Sequence, residues 1–373
     1  MVLVDWYAPG FRAGGPIRSA VNFVDQLENE MEIFVLTSDR DLGEQHAYTN
    51  IQVDKWISNN HHQIFYASPG KLSWHTIKEF ILTINPDYIY LNSMFSLYFS
   101  IYPLLMNRLG KLNSQLILAP RGMLRVSALM HKSGKKRVFL SLFRTLGLYK
   151  DIVFQATDET EFSDIRNNIG NNASIFTVGN LPGKQIQMDR IPVKEKGALK
   201  MVFIGRIHPI KNLDFLLRAL SAVEGKVELT IITTLEDQVY WKKCQSLIEQ
   251  LPSSIEIRLL ENIPHEKVRE YISLNHILAL PTKGENFGHA IFESLAAGRP
   301  VLISDQTPWR NLESVKAGWD IPIDKEKNFT EKIQQLVQMD MEAISSWCTG
   351  AWNHAYAYLH QSEIKQAYLN QFK

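Results

Sequence analysis

Cysteine is almost absent from this chain: among 373 residues only Cys244 and Cys348 occur, far apart and without metal-ligand spacing. Neither a disulfide framework nor a zinc site is indicated, no metal is expected, and a reducing, cytoplasmic setting fits. Net charge is nearly absent too, at a formal +1. The molecule as a whole therefore gives no reason to expect a nucleic-acid partner. No uninterrupted apolar run approaches the ~18 residues of a membrane span. The opening stretch from Met1 to Gly10 lacks the basic and longer apolar regions of a secretory signal, and it reads as a first strand.

What is present is the balance of a folded protein, with 45% apolar and 21% charged residues. A chain of this length exceeds what one hydrophobic core usually organises, so two domains are expected. Short β-branched or aromatic runs at 2–6, 33–37, 64–67, 88–91, 115–119, 152–155 and 174–178 alternate with helical patterns at 16–28, 72–84 and 159–168. Repeated βα units of this kind predict a parallel sheet. Residues 181–198 carry two Pro, two Gly and many charges without apolar periodicity, as a linker does. A second alternation follows, with strands at 201–205, 227–233, 255–260, 276–281 and 301–304 and helices at 213–223, 241–250, 266–272 and 290–297; the stretch 340–373 reads as helical. The fold class is α/β, two Rossmann-like domains facing across a cleft. Residues 1–185 would form the first and 186–354 the second, with the tail at about 355–373 packing back on the first.

Three segments carry residues suited to chemistry. From Pro281 to Pro300 a strand end runs through a Gly-bounded loop into a helix. Ligands in parallel α/β sheets sit beyond the carboxyl ends of strands. The backbone N–H groups of Asn286, Phe287 and Gly288 would point from the helix start towards an anion. Glu285 in the loop suits sugar hydroxyls, and Glu293, two turns on, suits a ribose diol. The same two glutamates also fit an ordinary βα loop and a solvated helix face. In the second segment a buried strand ends at Gly205, and Arg206 and Lys211 flank a Pro-bearing turn. A forked guanidinium and an ammonium there would neutralise a diphosphate, although a solvated basic turn is an equal reading. In the third, Gly14 and Gly15 after the first strand allow the close backbone approach that binding a donor's phosphate or sugar needs, without the full spacing of a dinucleotide fingerprint, and a plain turn fits them too.

Taken jointly, these segments resemble the family 4 glycosyltransferases of the GT-B fold. The resemblance rests on Gly14-Gly15, Thr177 to Asn180, Gly205-Arg206 with Lys211, Glu285 and Glu293 within one motif, and the Ala-Gly-Arg-Pro-Val that follows it. The segments 118–124 and 155–165 look like bacterial surface-polysaccharide members. The resemblance implies that Arg206 and Lys211 hold the pyrophosphate of a UDP- or GDP-linked sugar. It gives Glu293 the ribose, and Glu285 with the 286–288 backbone the transferred sugar. It further implies retention of anomeric configuration, no metal or other cofactor, and a glycan or polyprenyl-linked acceptor in capsule, O-antigen or exopolysaccharide synthesis.

One position departs from the pattern. Many members carry a His after the strand that here ends at Ala119-Pro120, where this chain has Arg121. Arg121 is expected either to contact the donor, as part of the catalytic set, or to hold structure, with His131 and His208 as possible substitutes for the missing His. From Tyr88 to Lys150 there is no Asp or Glu, yet Arg108, Lys111, Arg125, Lys132, Lys135, Lys136, Arg137, Arg144 and Lys150 occur among apolar residues. That mix suits peripheral docking on the anionic inner face of the cytoplasmic membrane. Two other readings remain open: a nucleotide-sugar epimerase of similar fold, against which the Glu285/Glu293 pair argues, and a catalytically silent nucleotide-sugar-binding subunit, which Arg121 keeps in play.

Overall fold

The computed structural model describes residues 1–125, 128–129 and 133–373. His131 and Lys132, singled out above, lie outside the described residues. The chain forms two compact units, Met1–Leu181 with Ser362–Lys373, and Pro182–Gln361.

The first unit is built on an eight-stranded sheet of order β3-β4-β2-β1-β5-β6-β7-β8. Its strands are β1 (Val2–Leu3), β2 (Ile33–Ser38), β3 (Trp56–Asn59), β4 (His62–Ala67), β5 (Tyr88–Leu91), β6 (Gln115–Leu118), β7 (Ile152–Ala156) and β8 (Ser174–Thr177). All neighbours are parallel except β3 and β4. The central strands are buried on both faces, which is why they read as unbroken apolar runs. The last helix, Ser362–Gln371, belongs to this unit: Tyr368 is fully buried, and its hydroxyl accepts from Gln155 Nε2 at 2.6 Å.

The second unit has a six-stranded, wholly parallel sheet of order β11-β10-β9-β12-β13-β14. The strands are β9 (Ala198–Ile204), β10 (Lys226–Thr233), β11 (Ile255–Glu261), β12 (Ile277–Leu280), β13 (Val301–Ser304) and β14 (Gly318–Ile321). Strand β9 lies between β10 and β12, so the order reverses there. The crevice beyond the carboxyl ends of β9 and β12 is the topological switch point, where such sheets bind ligands.

Two strands were not visible in the sequence. Strand β3 is a short, largely exposed antiparallel edge. Strand β14 starts on Gly318, where a Cβ would meet Val301 O at 2.1 Å, so only glycine permits this pairing. Residues 181–197 are irregular, as a linker would be, but not loose. The Lys194 ammonium donates to Val337 O at 3.1 Å and Met339 O at 2.6 Å, and Arg269 Nε holds Asp189 Oδ2 at 3.1 Å. The segment is strapped to the second unit from Gln187 onward.

Candidate active site

At the switch point of the second unit, two loops are stitched together by side-chain and backbone hydrogen bonds. After β9, Asn212 adopts a left-handed conformation and its side-chain amide donates to Pro281 O at 3.0 Å, at the end of β12. Lys283 N in turn donates to Ile210 O at 2.7 Å. His208 shapes the turn, its Nδ1 accepting from Ile210 N at 3.2 Å, so it sits in the loop that carries Arg206 and Lys211. Gly205 has a local reason: a Cβ there would lie 3.3 Å from Lys211 Cγ, so its absence lets the lysine stem cross the strand end.

These stitches bring the loop that carries Arg206 and Lys211 against the loop that carries Glu285. The Lys211 ammonium forms an ion pair with Glu285 Oε1, and both side chains are largely sheltered. Arg206 Nη1 reaches Glu236 Oε2 at 2.6 Å in a more exposed pair. Glu285 N donates to Gln306 O at 3.1 Å, which fixes the loop against the segment after β13. The chain then turns through Gly288, at φ +80°, into the helix His289–Ala296, whose first turn has no side-chain cap. A residue with a Cβ at Gly288 would be strained in φ and would meet Ile291 Cδ1 at 2.7 Å. Phe287 is buried against Trp309, whose indole donates to Phe287 O at 2.5 Å, so an aromatic anchor holds the helix start. Glu293 lies in the second turn of that helix, and its Oε1 meets His265 Nε2 at 2.8 Å. A sheltered ammonium, a guanidinium and two carboxylates at the end of a parallel sheet can bind a diphosphate ester and orient polyhydroxyl groups.

Gly14, Gly15 and Arg121 are in the first unit. The loop from Ala8 to Gly14 is shaped by Tyr66, whose hydroxyl donates to Ala8 O at 2.6 Å, and by Asp41, whose Oδ2 accepts from Phe11 N at 2.8 Å and Arg12 N at 3.1 Å. Gly14 has φ +65° and open space around a would-be Cβ, so its backbone angle, rather than close approach, is what demands glycine. The helix Gly15–Leu27 then begins without a side-chain cap.

Arg121, expected either to contact the donor or to hold structure, is bound by hydrogen bonds within the first unit. Its Nε donates to Asn92 Oδ1 at 2.8 Å, Nη1 to Asn180 Oδ1, and Nη2 to the Tyr90 hydroxyl at 2.5 Å. Tyr90 continues to Gln155 at 2.5 Å and thence to Tyr368, while Glu161 Oε1 accepts from Gly122 N at 2.5 Å. All three guanidinium nitrogens thus tie the ends of β5 and β6 to the segment after β8 and, through Gln155, to the last helix. Burial pushes the Tyr90 phenol well above its usual range, so it stays a neutral partner.

Sequence reasoning did not find Glu236, His265 or Arg299. Arg299 is fully buried, and its Nη2 donates to Arg190 O at 2.6 Å and Ser273 O at 2.9 Å, its Nη1 to Ala297 O at 3.1 Å. It therefore caps the carboxyl ends of the helices His265–Ser273 and His289–Ala296 and binds the strap to them. The only sequence signal was its place in the Ala-Gly-Arg-Pro run.

Residues 198–339 match the family model described as Glycosyl transferases group 1. A search of curated protein sequences finds no match. Among solved structures, the chain is similar to sucrose-phosphate synthase from Thermosynechococcus elongatus, with TM-score 0.70, 15% identity and 99% of each chain covered. It is also similar to HepE from Anabaena in complex with UDP-glucose, with TM-score 0.69, 14% identity, 100% of this chain and 98% of that one. A third is WaaG, a glycosyltransferase involved in lipopolysaccharide biosynthesis, with TM-score 0.62, 12% identity and 95% of each chain. At such identities the likeness speaks to fold, and the family match speaks to the second unit. The chain has the GT-B fold of two Rossmann-like units, and the second of them carries the match to the group 1 glycosyltransferase domain.

Proposed function

We propose that the protein transfers a sugar, with retention of configuration and without a metal, from a UDP- or GDP-linked donor to a glycan or polyprenyl-linked glycan. The observation that carries this is the Lys211–Glu285 ion pair at the β9/β12 switch point of a domain that matches the glycosyltransferase family model, with Arg206 in the loop that carries Lys211 and Glu293 on the helix that follows Glu285. In this reading Arg206 and Lys211 hold the pyrophosphate and stabilise the charge that grows on it as the glycosidic bond breaks, the work a divalent cation performs elsewhere. Glu285 and the backbone of Asn286, Phe287 and Gly288 orient the sugar, and Glu293 takes the ribose diol. The complex of HepE with UDP-glucose supports a nucleotide-sugar donor, and the role of WaaG in lipopolysaccharide biosynthesis supports a surface-polysaccharide setting.

The membrane-facing part of the proposal rests on the helix Ser133–Thr145. Leu140 and Phe143 are buried, while Val138 is 61%, Leu142 54% and Leu146 50% exposed. These three recur every four residues, so they form one outward apolar stripe, beside the exposed Lys135, Arg137 and Arg144. Lys136 is engaged otherwise: its ammonium donates to Ala128 O at 2.6 Å and lies over the Phe95 ring. An apolar stripe edged with cations suits an anionic leaflet on the cytoplasmic side. Among the described residues no helix is long and apolar enough to cross a membrane.

Turnover with a panel of UDP- and GDP-sugars tests the chemistry. Arg206→Ala and Lys211→Ala should depress donor-saturated turnover, because they meet charge that grows during bond breaking. Glu293→Gln should mainly raise the donor Michaelis constant, since the ribose does not change charge, and Glu285→Ala should affect both. Near-parental turnover of both cation variants at saturating donor would overturn the assignment. Donor binding without any turnover would favour a silent binding subunit instead.

A further inference from the structure

The helices His265–Ser273 and His289–Ala296 lie side by side over an apolar seam. Val268, Ile272 and Ala297 are buried there, with Ile204 and Ile263 packed against them. The seam brings the first turn of one helix to the second turn of the other, where His265 Nε2 stands 2.8 Å from Glu293 Oε1. A carboxylate oxygen only accepts, so the imidazole carries its proton on Nε2 and donates it. Pro264 immediately precedes His265 and restricts the backbone at the helix start. The imidazole is therefore presented from a fixed point, whereas Glu293 on its own has three side-chain torsions to settle.

We propose that His265 is a positioning and specificity residue for the nucleotide donor, holding the Glu293 carboxylate in the plane that receives a ribose 2′,3′-diol. The inference rests on the reading that Glu293 binds the donor ribose. A diol gives two O–H donors at a fixed spacing, and it is bound best by a carboxylate already oriented. Ordering one rotamer-rich side chain on binding costs about 0.5–1.5 kcal/mol. That converts to roughly a two- to tenfold loss of affinity when the imidazole is removed. The loss falls on ligands that use the diol. A nucleotide with one hydroxyl missing gains less from the held carboxylate, so discrimination between ribose and deoxyribose narrows with it. A plain helix-to-helix ion pair predicts otherwise: its removal lowers the melting temperature slightly and leaves sugar discrimination alone.

The test is the dissociation constant of matched pairs, UDP with dUDP and GDP with dGDP, measured by calorimetry on the full chain. The proteins compared are the parent, His265→Ala, His265→Gln and Glu293→Gln, each checked by thermal melting. The parent should prefer the ribo form, and Glu293→Gln should erase most of that preference. His265→Ala should weaken the ribo form about two- to tenfold and the deoxy form distinctly less, so that the ratio of the two constants narrows. His265→Gln, whose amide N–H can stand near the place of Nε2, should recover part of the loss and covers the case in which the alanine variant does not fold. Equal weakening of both forms, or no change, in His265→Ala while Glu293→Gln erases the preference overturns the role of His265 alone. An intact preference in Glu293→Gln overturns the ribose assignment and this inference with it, as does failure of the parent to bind either pair.

Discussion

Replacing Arg299 by Met should unfasten the floor beneath the proposed donor site. The substitution keeps an unbranched stem of similar length and removes every donor. In the parent the guanidinium serves five carbonyls: Asp189 at 3.3 Å, Ala297 at 3.1 Å and Gly298 at 3.2 Å from Nη1, Arg190 at 2.6 Å and Ser273 at 2.9 Å from Nη2. The two short bonds to Nη2 are charge-assisted and worth about 1.5–3 kcal/mol each, and the three longer ones share the two protons of Nη1. Against this stands the cost of burying the cation, visible as a guanidinium whose pKa is lowered by burial. The net loss should be about 3–5 kcal/mol, in line with removing one partner from a buried charged cluster. For a unit of this size that lowers the melting temperature by roughly 6–20 °C. Differential scanning calorimetry of parent, Arg299→Met and Arg299→Lys measures it, with the lysine variant intermediate because one ammonium cannot span both helix ends. A shift below about 2 °C for Arg299→Met would show that the carbonyls are satisfied without it, and the argument for a clamp would fail.

His276 should make the second unit acid-sensitive. It is buried, its Nδ1 accepts from Lys200 N at 2.9 Å, its Nε2 faces Val193 O at 3.1 Å, and burial pushes its pKa down from 6.5 to about 4. The unfolded chain then takes up a proton that the folded one refuses, so this contribution is whole above pH 6.5 and is lost as pH falls towards about 4. Up to about 3 kcal/mol is at stake; urea midpoints across that range should fall further for the parent than for His276→Gln, and parallel curves would refute it. On vesicles of anionic lipid, Lys135→Gln, Arg137→Gln and Arg144→Gln together should weaken binding about 100-fold or more at low salt, at about 1 kcal/mol per charge. Val138→Ser with Leu142→Ser should remove the salt-resistant part, and binding equal to the parent in both variants would dismiss the docking face.

What the sequence disclosed, and what it withheld, follows from how local each signal is. Strands such as β12 and β13 are buried throughout, so four consecutive apolar residues suffice to announce them. The helix Gln238–Ile248 starts three residues earlier than its apolar pattern, because Asp237 caps it by accepting from Tyr240 N at 2.9 Å. That signal was present and outweighed by periodicity. Glu285, Asn286, Phe287, Gly288 and Glu293 were legible because one loop and one helix carry them all. Glu236 and His265 were not, since each lies about thirty residues from its partner and is brought there by strand order and helix packing. For Arg121 the chain gave its position at a strand end but not its partners, Asn92, Asn180 and Tyr90, which come from two other places in the fold.

The ion pairs also bear on how the proposed donor site divides binding from catalysis. Arg206 and Lys211 are each matched with a carboxylate of the same unit, Glu236 and Glu285. A diphosphate arriving at these cations exchanges one anion for another, so its ground-state gain is only the difference between two attractions. Bond breaking changes that difference, because charge accumulates on the leaving phosphate while the carboxylate's charge stays the same. The gain is then expressed mostly in the transition state, where it accelerates transfer. The two pairs are not equivalent: Lys211 and Glu285 are sheltered, with 18% and 12% exposure, whereas Arg206 and Glu236 stand at 37% and 41%. Solvent screens the second pair heavily and leaves Arg206 freer to swing to a ligand. Lys211 remains coupled to Glu285, the residue assigned to the moving sugar. Any shift of that carboxylate as the sugar leaves the phosphate therefore changes the hold on the lysine that receives the phosphate's charge.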